Sequence, residues 1–198
     1  MSPGRRLARF TGAALIATLL AGCTSVPVLS DPMPPKSPGG PQKTITELRQ
    51  QVISLLQDSI DATGNGEGWL WIAYDPQVPW SHDLGYTGLA SCSTVGEKGS
   101  HQIRAHVYRA PLGEPHDTAR VLGEHWESQG FTLRTVFDQV KGDHVQILLV
   151  AERADGISQN VYATEDTMSI EVLSECSTHE SFDYFIEHGD DPPPSAKP

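Results

Sequence analysis

Cysteine is scarce in this chain, with three in 198 residues, at positions 23, 92 and 176. At most one intramolecular disulfide can form, so the fold must be held mainly by its own core. Positive charge is also scarce: 14 Lys and Arg stand against 25 Asp and Glu, a net charge of −11. No basic patch with interleaved aromatics occurs, which excludes nucleic acid as a partner. The acidity reads as a means of keeping a domain soluble. Long apolar runs are missing too. The longest, FTGAALIATLLA at residues 10–21, falls short of the roughly 20 apolar residues that span a bilayer. Aromatic residues make up only 7% of the chain. There is no Gly-x-Ser-x-Gly elbow and no pair of histidines four apart with a glutamate between, the signatures of a hydrolase nucleophile and of a helical zinc site.

What is present begins with Arg5, Arg6 and Arg9, ahead of that apolar run. A basic start, a short apolar stretch and small residues at its end describe a secretory signal over residues 1–22. Leu20-Ala21-Gly22-Cys23 resembles the bacterial lipoprotein box, in which the Cys thiol receives a diacylglycerol and becomes the new N-terminus after cleavage. The resemblance implies lipidation at Cys23. An ordinary secreted protein with an incidental Cys23, or an uncleaved anchor, is the plainer alternative. Arg5-Arg6 raises export by the twin-arginine route, but Leu7-Ala8-Arg9 does not continue that signal, so general secretion is expected. Two acyl chains satisfy the requirement for stable anchoring. Residues 24–43 carry prolines at 27, 32, 34, 35, 38 and 41. Proline fixes φ and removes donors, so 23–43 reads as the lipidated Cys and an extended tether reaching on the order of 60 Å.

Residues 44–179 read as one α+β domain. TITELRQQVISLLQDSIDATG, 44–64, opens with Thr44 and Glu47 in capping-box spacing. Its apolar positions recur at three and four, and Gly64 supplies a stop, so an amphipathic helix is expected. WLWIAYDP, 69–76, reads as a buried strand broken at Asp75-Pro76, and HQIRAHVYRA, 101–110, as a strand with one wet face. Glu114-Pro115 opens a second helix with an apolar stripe at Ala119, Leu122 and Trp126, ending near Gly130. Residues 131–153 read as a hairpin around Lys141-Gly142-Asp143. SQNVYAT and MSIEVLSEC follow as strands joined by short turns, with Met168, Ile170 and Val172 inward and Cys176 on their face. Short turns imply antiparallel neighbours. The expected architecture is a two-layer sandwich: an antiparallel sheet of about five strands with two helices on one face. Residues 180–198 read as an acidic, proline-rich tail in which Phe182, Phe185 and Ile186 dock and Asp190 onward is disordered. With Cys23 lipidated, export into an oxidising compartment makes a Cys92–Cys176 disulfide the economical expectation. A catalytic thiol is its alternative, and would need an activating His beside it.

Lipobox, proline-rich spacer, helix, the Trp and Asp-Pro segment at 69–76, Cys92, a second helix ending near Gly130, hairpins leading to Cys176 and a proline-rich tail together resemble the LppA-like lipoproteins of actinobacteria. The likeness is one of pattern over nearly the whole chain, and its individual motifs are short. It implies a surface-anchored α+β domain with the two cysteines bonded. It carries over no catalytic residue and no activity.

Local chemistry is sparse. The eight histidines, at 82, 101, 106, 116, 125, 144, 179 and 188, have no metal-ligand spacing and read as scattered surface residues, so neither metal nor cofactor is expected. Ser81-His82-Asp83 holds triad letters, but consecutive side chains diverge and a triad is assembled in space. GNGEG, 64–68, follows a helix, opens a strand and carries Glu67, unlike a phosphate cradle. As a calcium loop from Asp61 it fails at position 12, where Ile72 replaces a bidentate Glu. Trp69, Trp71, Tyr74 and Trp80 form the densest aromatic cluster. Trp69 and Trp71 read as core, and Trp80, past the Asp-Pro break, is the candidate ligand contact. The sequence therefore points to a lipid-anchored, extracytoplasmic protein of the cell membrane that binds an envelope protein or glycan rather than transforming it. The alternative is a cell-wall or small-molecule hydrolase using carboxylates such as Asp75 and Asp83.

Overall fold

The fold follows from two amphipathic helices and a set of alternating strands that share one apolar face. The computed structural model describes residues 42–72, 78–82, 87–92, 99–142 and 144–189. Helix α1 (Ile45–Ala62) begins with a complete capping box. The Glu47 N–H donates to Thr44 Oγ1 at 3.2 Å, and the Thr44 N–H donates to Glu47 Oε2 at 2.8 Å. Leu48, Val52, Leu56 and Ile60 are fully buried along one stripe, the pattern their spacing dictates. Helix α2 (Pro115–Ser128) has Pro in its first turn and buries Ala119, Leu122, Gly123 and Trp126. The chain leaves it through Gly130 at φ 84°, a left-handed conformation that glycine adopts without steric cost.

Among the described residues seven strands form one antiparallel sheet: β1 (Leu70–Trp71), β2 (Gly88–Ser91), β3 (His101–Arg109), β4 (Thr132–Lys141), β5 (His144–Glu152), β6 (Ser158–Thr164) and β7 (Met168–Leu173). The order is β1-β3-β7-β6-β5-β4, with β2 also paired to β3. Ile103, Ala105 and Val107 of β3 lie level with Val172 and Ile170 of β7, then Val161 and Ala163 of β6, then Ile147 and Leu149 of β5. All are buried. Helix α1 packs on β3 and β7, α2 packs on β4, β5 and β6, and the two helices touch each other. This is the α+β class expected, with two helices on one face. The sheet is larger than the five strands anticipated.

Three differences have physical causes. The aromatic run at 69–76 yields only the two-residue β1. Trp69 and Trp71 are both 2% exposed, while Ile72 is 48% exposed. The chain reverses here, with the Trp71 N–H given to Val78 O and the Trp80 N–H to Trp69 O. Residues 73–77 lie outside the described residues. Strand β2, Gly-Leu-Ala-Ser, has no alternation to reveal it and exists because β3 offers a free edge. The domain also continues past the boundary placed at residue 179. Helix α3 (Glu180–His188) buries Phe182 against the His101 ring, with centroids 5.8 Å apart. Phe185 stacks under the Arg49 guanidinium at 4.5 Å. Its N-cap is His179, whose Nδ1 accepts from the Ser181 N–H, a residue outside the usual capping set. One buried side chain in nine residues leaves little periodicity to read. Residues from 190 lie outside the described residues.

The last strand ends before Cys176. Ser174 Oγ accepts the Ile103 N–H at 2.8 Å, while Ser177 pairs with His101 through both backbone hydrogen bonds. Cys176 therefore lies beyond β7 rather than on its inward face, and joins Cys92 in a disulfide with Cα atoms 6.0 Å apart. The bridge ties the end of β2, on one edge of β3, to the segment on its other edge.

Candidate binding face

The helices cover one face of the sheet. Among the described residues no helix packs on the other, and the register places its side chains in rows across the strands. One row runs Leu70, Tyr108, Ser169, Tyr162, Leu148, Phe137, each the direct cross-strand partner of the next. Three aromatic residues thus stand on β3, β6 and β4, with Ser169 of β7 and Leu148 of β5 between them. All three are half-buried. The Phe137 and Tyr162 rings meet edge to face, centroids 6.2 Å apart, a favoured aromatic geometry. A bulge between Thr135 and Phe137 makes this possible. Without the extra residue Phe137 would point to the helix side.

The neighbouring row is polar: His106, Glu171, Asn160, Val150, Arg134. Glu171 is its hub. Asn160 Nδ2 donates to Glu171 Oε2 at 2.7 Å, Arg104 Nε forms an ion pair with Oε1, and His106 Nδ1 lies 3.9 Å from Oε1. The Glu171 and His106 side chains are 15% and 18% exposed, against 48% for Arg104. Burial pushes the His106 imidazole below its ordinary value of 6.5; Glu171 opposes this and Arg104 adds to it. The neutral ring is therefore favoured. Its buried Nε2 has no hydrogen-bond partner among the described residues. On the far side of the aromatic row stand Thr164, Gln146 and Gln139, again in direct register.

A concavity lies on the helix side, between α2 and the edge strand β4. It is a groove of about 290 Å³ floored by Gly123, Leu133, Ile147 and Leu149. At its rim His116 Nε2 pairs with Asp138 Oδ1 at 3.1 Å. Gly123 brings the helix close: a Cβ there would lie 3.0 Å from Leu133 Cδ1 and 3.2 Å from Leu149 Cδ2.

The residues singled out in the sequence fall as follows. Cys92 and Cys176 are joined. Trp80 is half-buried rather than presented to solvent. Its indole N–H donates to Gln57 Oε1 at 2.9 Å and its ring tilts against Trp71, centroids 4.8 Å apart. Trp69 and Trp71 belong to the core. Cys23, Asp75 and Asp83 lie outside the described residues. GNGEG is a helix-to-strand turn whose carbonyls face a cation: Arg109 Nη1 donates to Asn65 O at 3.2 Å and Glu67 O at 2.5 Å. Among the described residues no three His, Cys, Asp or Glu cluster as a metal site, and no helix is long and apolar enough to cross a membrane. Sequence reasoning missed Tyr108, Tyr162 and Phe137. Alternation puts Tyr108 beside His106 and Arg104 on a wet face. Only the register brings the three rings into line.

These features define an α+β domain with an antiparallel sheet covered by helices on one face and, among the described residues, free of helices on the other. No protein-family model matches the chain, and no curated protein matches it. Among solved structures it is similar to a DUF4853 family protein from Actinomyces odontolyticus. That likeness has a TM-score of 0.49 and 11% identity, over 72% of this chain and 75% of that one.

Proposed function

We propose that the chain is a lipid-anchored protein of the bacterial cell envelope, of the LppA-like kind, whose domain binds a partner through its open sheet face. Anchoring is supported by Leu20-Ala21-Gly22-Cys23 behind a basic and apolar leader, and by the proline-rich stretch that follows. The disulfide agrees with export, because such bonds persist in oxidising compartments. The binding role rests on a single observation: Tyr108, Tyr162 and Phe137 stand in one cross-strand row on a face that no described helix covers. Aromatic rings with a polar rim are what recognition surfaces are built from.

Intact mass of the protein in the host membrane fraction, before and after reduction with alkylation, tests the anchored reading. A chain that begins at Cys23 and carries a diacylglycerol mass, with Cys92 and Cys176 blocked until reduction, is the expected result. An unlipidated chain in the soluble fraction would overturn it.

A further inference from the structure

We infer that the free edge of β4 is a further interaction surface, separate from the open sheet face, and takes an extended basic segment of another polypeptide as an added strand. Apolar side chains of that segment enter the groove between α2 and β4. The edge is the first observation. Strand β4 ends the sheet, and its ten residues pair with β5 alone. Among the described residues no other backbone group bonds to it. Alternate N–H and C=O groups along about 34 Å of strand therefore point outward, a template for pairing. Edges are commonly blunted by proline, charge or a bulge. Strand β4 has no proline, and its bulge falls after Thr135, which leaves 132–135 regular.

The groove beside that edge is the second observation. Leu133 and Thr135 of β4 stand in its 290 Å³ with Ile147 and Leu149 of β5. Helix-side residues of an added strand would point the same way as Leu133 and Thr135. Pockets that enclose a whole small molecule run from about 300 to 1,000 Å³. This one suits one or two side chains on a backbone that is fixed elsewhere, and the free edge supplies the fixing. A helix laid in the groove would leave the edge unpaired.

Charge selects the segment. Glu124, Glu127 and Asp138 line the groove against Arg120. Arg120 is already held by Glu124 at 3.0 Å and by Asp117 at 3.7 Å. Glu127 has no ion-pair partner among the described residues. The surplus is negative, as it is over the whole chain, at −11. A lysine or arginine two residues from an apolar anchor lies on the same face of the segment and meets that surplus, while an acidic segment is repelled. A second copy is repelled too, because a two-fold pairing of edges brings the same carboxylates together.

The test titrates the full chain as isolated from its host, in detergent, with labelled peptides Lys-Thr-X-Thr-X-Thr-Lys, X being valine, isoleucine, leucine or phenylalanine. Anisotropy should show saturable binding of at least one, weakened by salt, and none of the peptides with glutamate for lysine. N-methylation of the Lys and X residues, or of the Thr residues, turns the methyl groups to opposite edges of the peptide. One form should lose binding and the other keep it. Glu127→Lys should weaken binding about fivefold. Thr135→Trp, at an exposed position, should fill the groove and cost about tenfold or more at the parent's unfolding midpoint. No binding of any lysine peptide below about 1 mM, equal binding of the glutamate peptides, or equal binding of the two N-methylated forms would each overturn the inference. So would a dimer in sedimentation equilibrium that Thr135→Trp dissociates, which would make a second copy the occupant.

Discussion

At the scale of residues, the helices are joined to the sheet by a buried polar trio. Trp126 Nε1–H of α2 donates to Ser59 Oγ of α1 at 2.9 Å, and Ser59 Oγ lies 2.8 Å from Gln159 Oε1 of β6. All three residues are fully buried. Ser59 has one proton, which goes either to Gln159 or to Leu55 O at 2.9 Å. Removing the hydroxyl strands two buried partners, the costly half of any hydrogen bond. Ser59→Ala should therefore destabilise by about 1–3 kcal/mol in urea unfolding, while Ser54→Ala, exposed on the same helix, should change stability by no more than ~0.5 kcal/mol. Equal midpoints for the two variants would refute the trio's role. His106 supplies a second case. Its folded value lies below 6.5, so the unfolded chain takes up the proton first. Stability is unaffected above 6.5 and falls as pH drops from there through the folded value. His106→Gln should flatten that fall between pH 8 and pH 5.5, as read from denaturation midpoints. Parallel pH curves for the two proteins would contradict the assignment.

At the scale of elements, the disulfide and α3 finish what the sheet begins. Strand β3 receives β1 and β2 on one edge and β7 on the other, and the Cys92–Cys176 bridge spans its first residues. The bonded cysteines are 84 positions apart, so the cross-link removes much of the unfolded chain's freedom, up to about 4–5 kcal/mol in the loop-entropy picture. Reduction should cost about 2–4 kcal/mol and show as a lower guanidinium midpoint. A midpoint indifferent to reduction would mean the staple adds nothing. The segment it holds also receives the start of the domain. Lys43 Nζ pairs with Glu175 at 3.1 Å, Ser177 Oγ donates to Lys43 O at 2.7 Å, and the Ile45 N–H donates to Ser181 Oγ at 2.9 Å. The point where the proline-rich stretch enters is thus bonded to the disulfide-linked strip and to α3.

At the scale of the whole molecule, address and ligand are separable properties. The proposed anchor depends on one thiol, that of Cys23. Cys23→Ala should move the protein from the membrane fraction to the soluble one while leaving the Cys92–Cys176 bridge and the unfolding midpoint unchanged. Retention in the membrane fraction would instead implicate an uncleaved leader. The acidic excess acts at the same scale. On the sheet face away from the helices, Glu171 and Glu152 each have an arginine beside them, Arg104 and Arg134.

What the sequence determined by itself is what depends on local periodicity and on single-residue chemistry. Thr44 with Glu47 started α1, the three-and-four spacing of Leu48 to Ile60 chose its buried stripe, and alternation in 101–110 and 168–173 marked strands with one wet face. The expectation of export and the count of cysteines made the Cys92–Cys176 pair the economical choice. Tertiary structure decided everything that depends on which strand lies beside which. Strand β2 has no pattern of its own and exists through pairing with β3. Helix α3 is held by Phe182 against His101, a contact between residues 81 positions apart. The aromatic row needs six strands in register and a bulge in β4 to turn Phe137 toward Tyr162. Alternation tells each strand which residues share a face. Only the register, set by packing over the whole sheet, decides which of them meet.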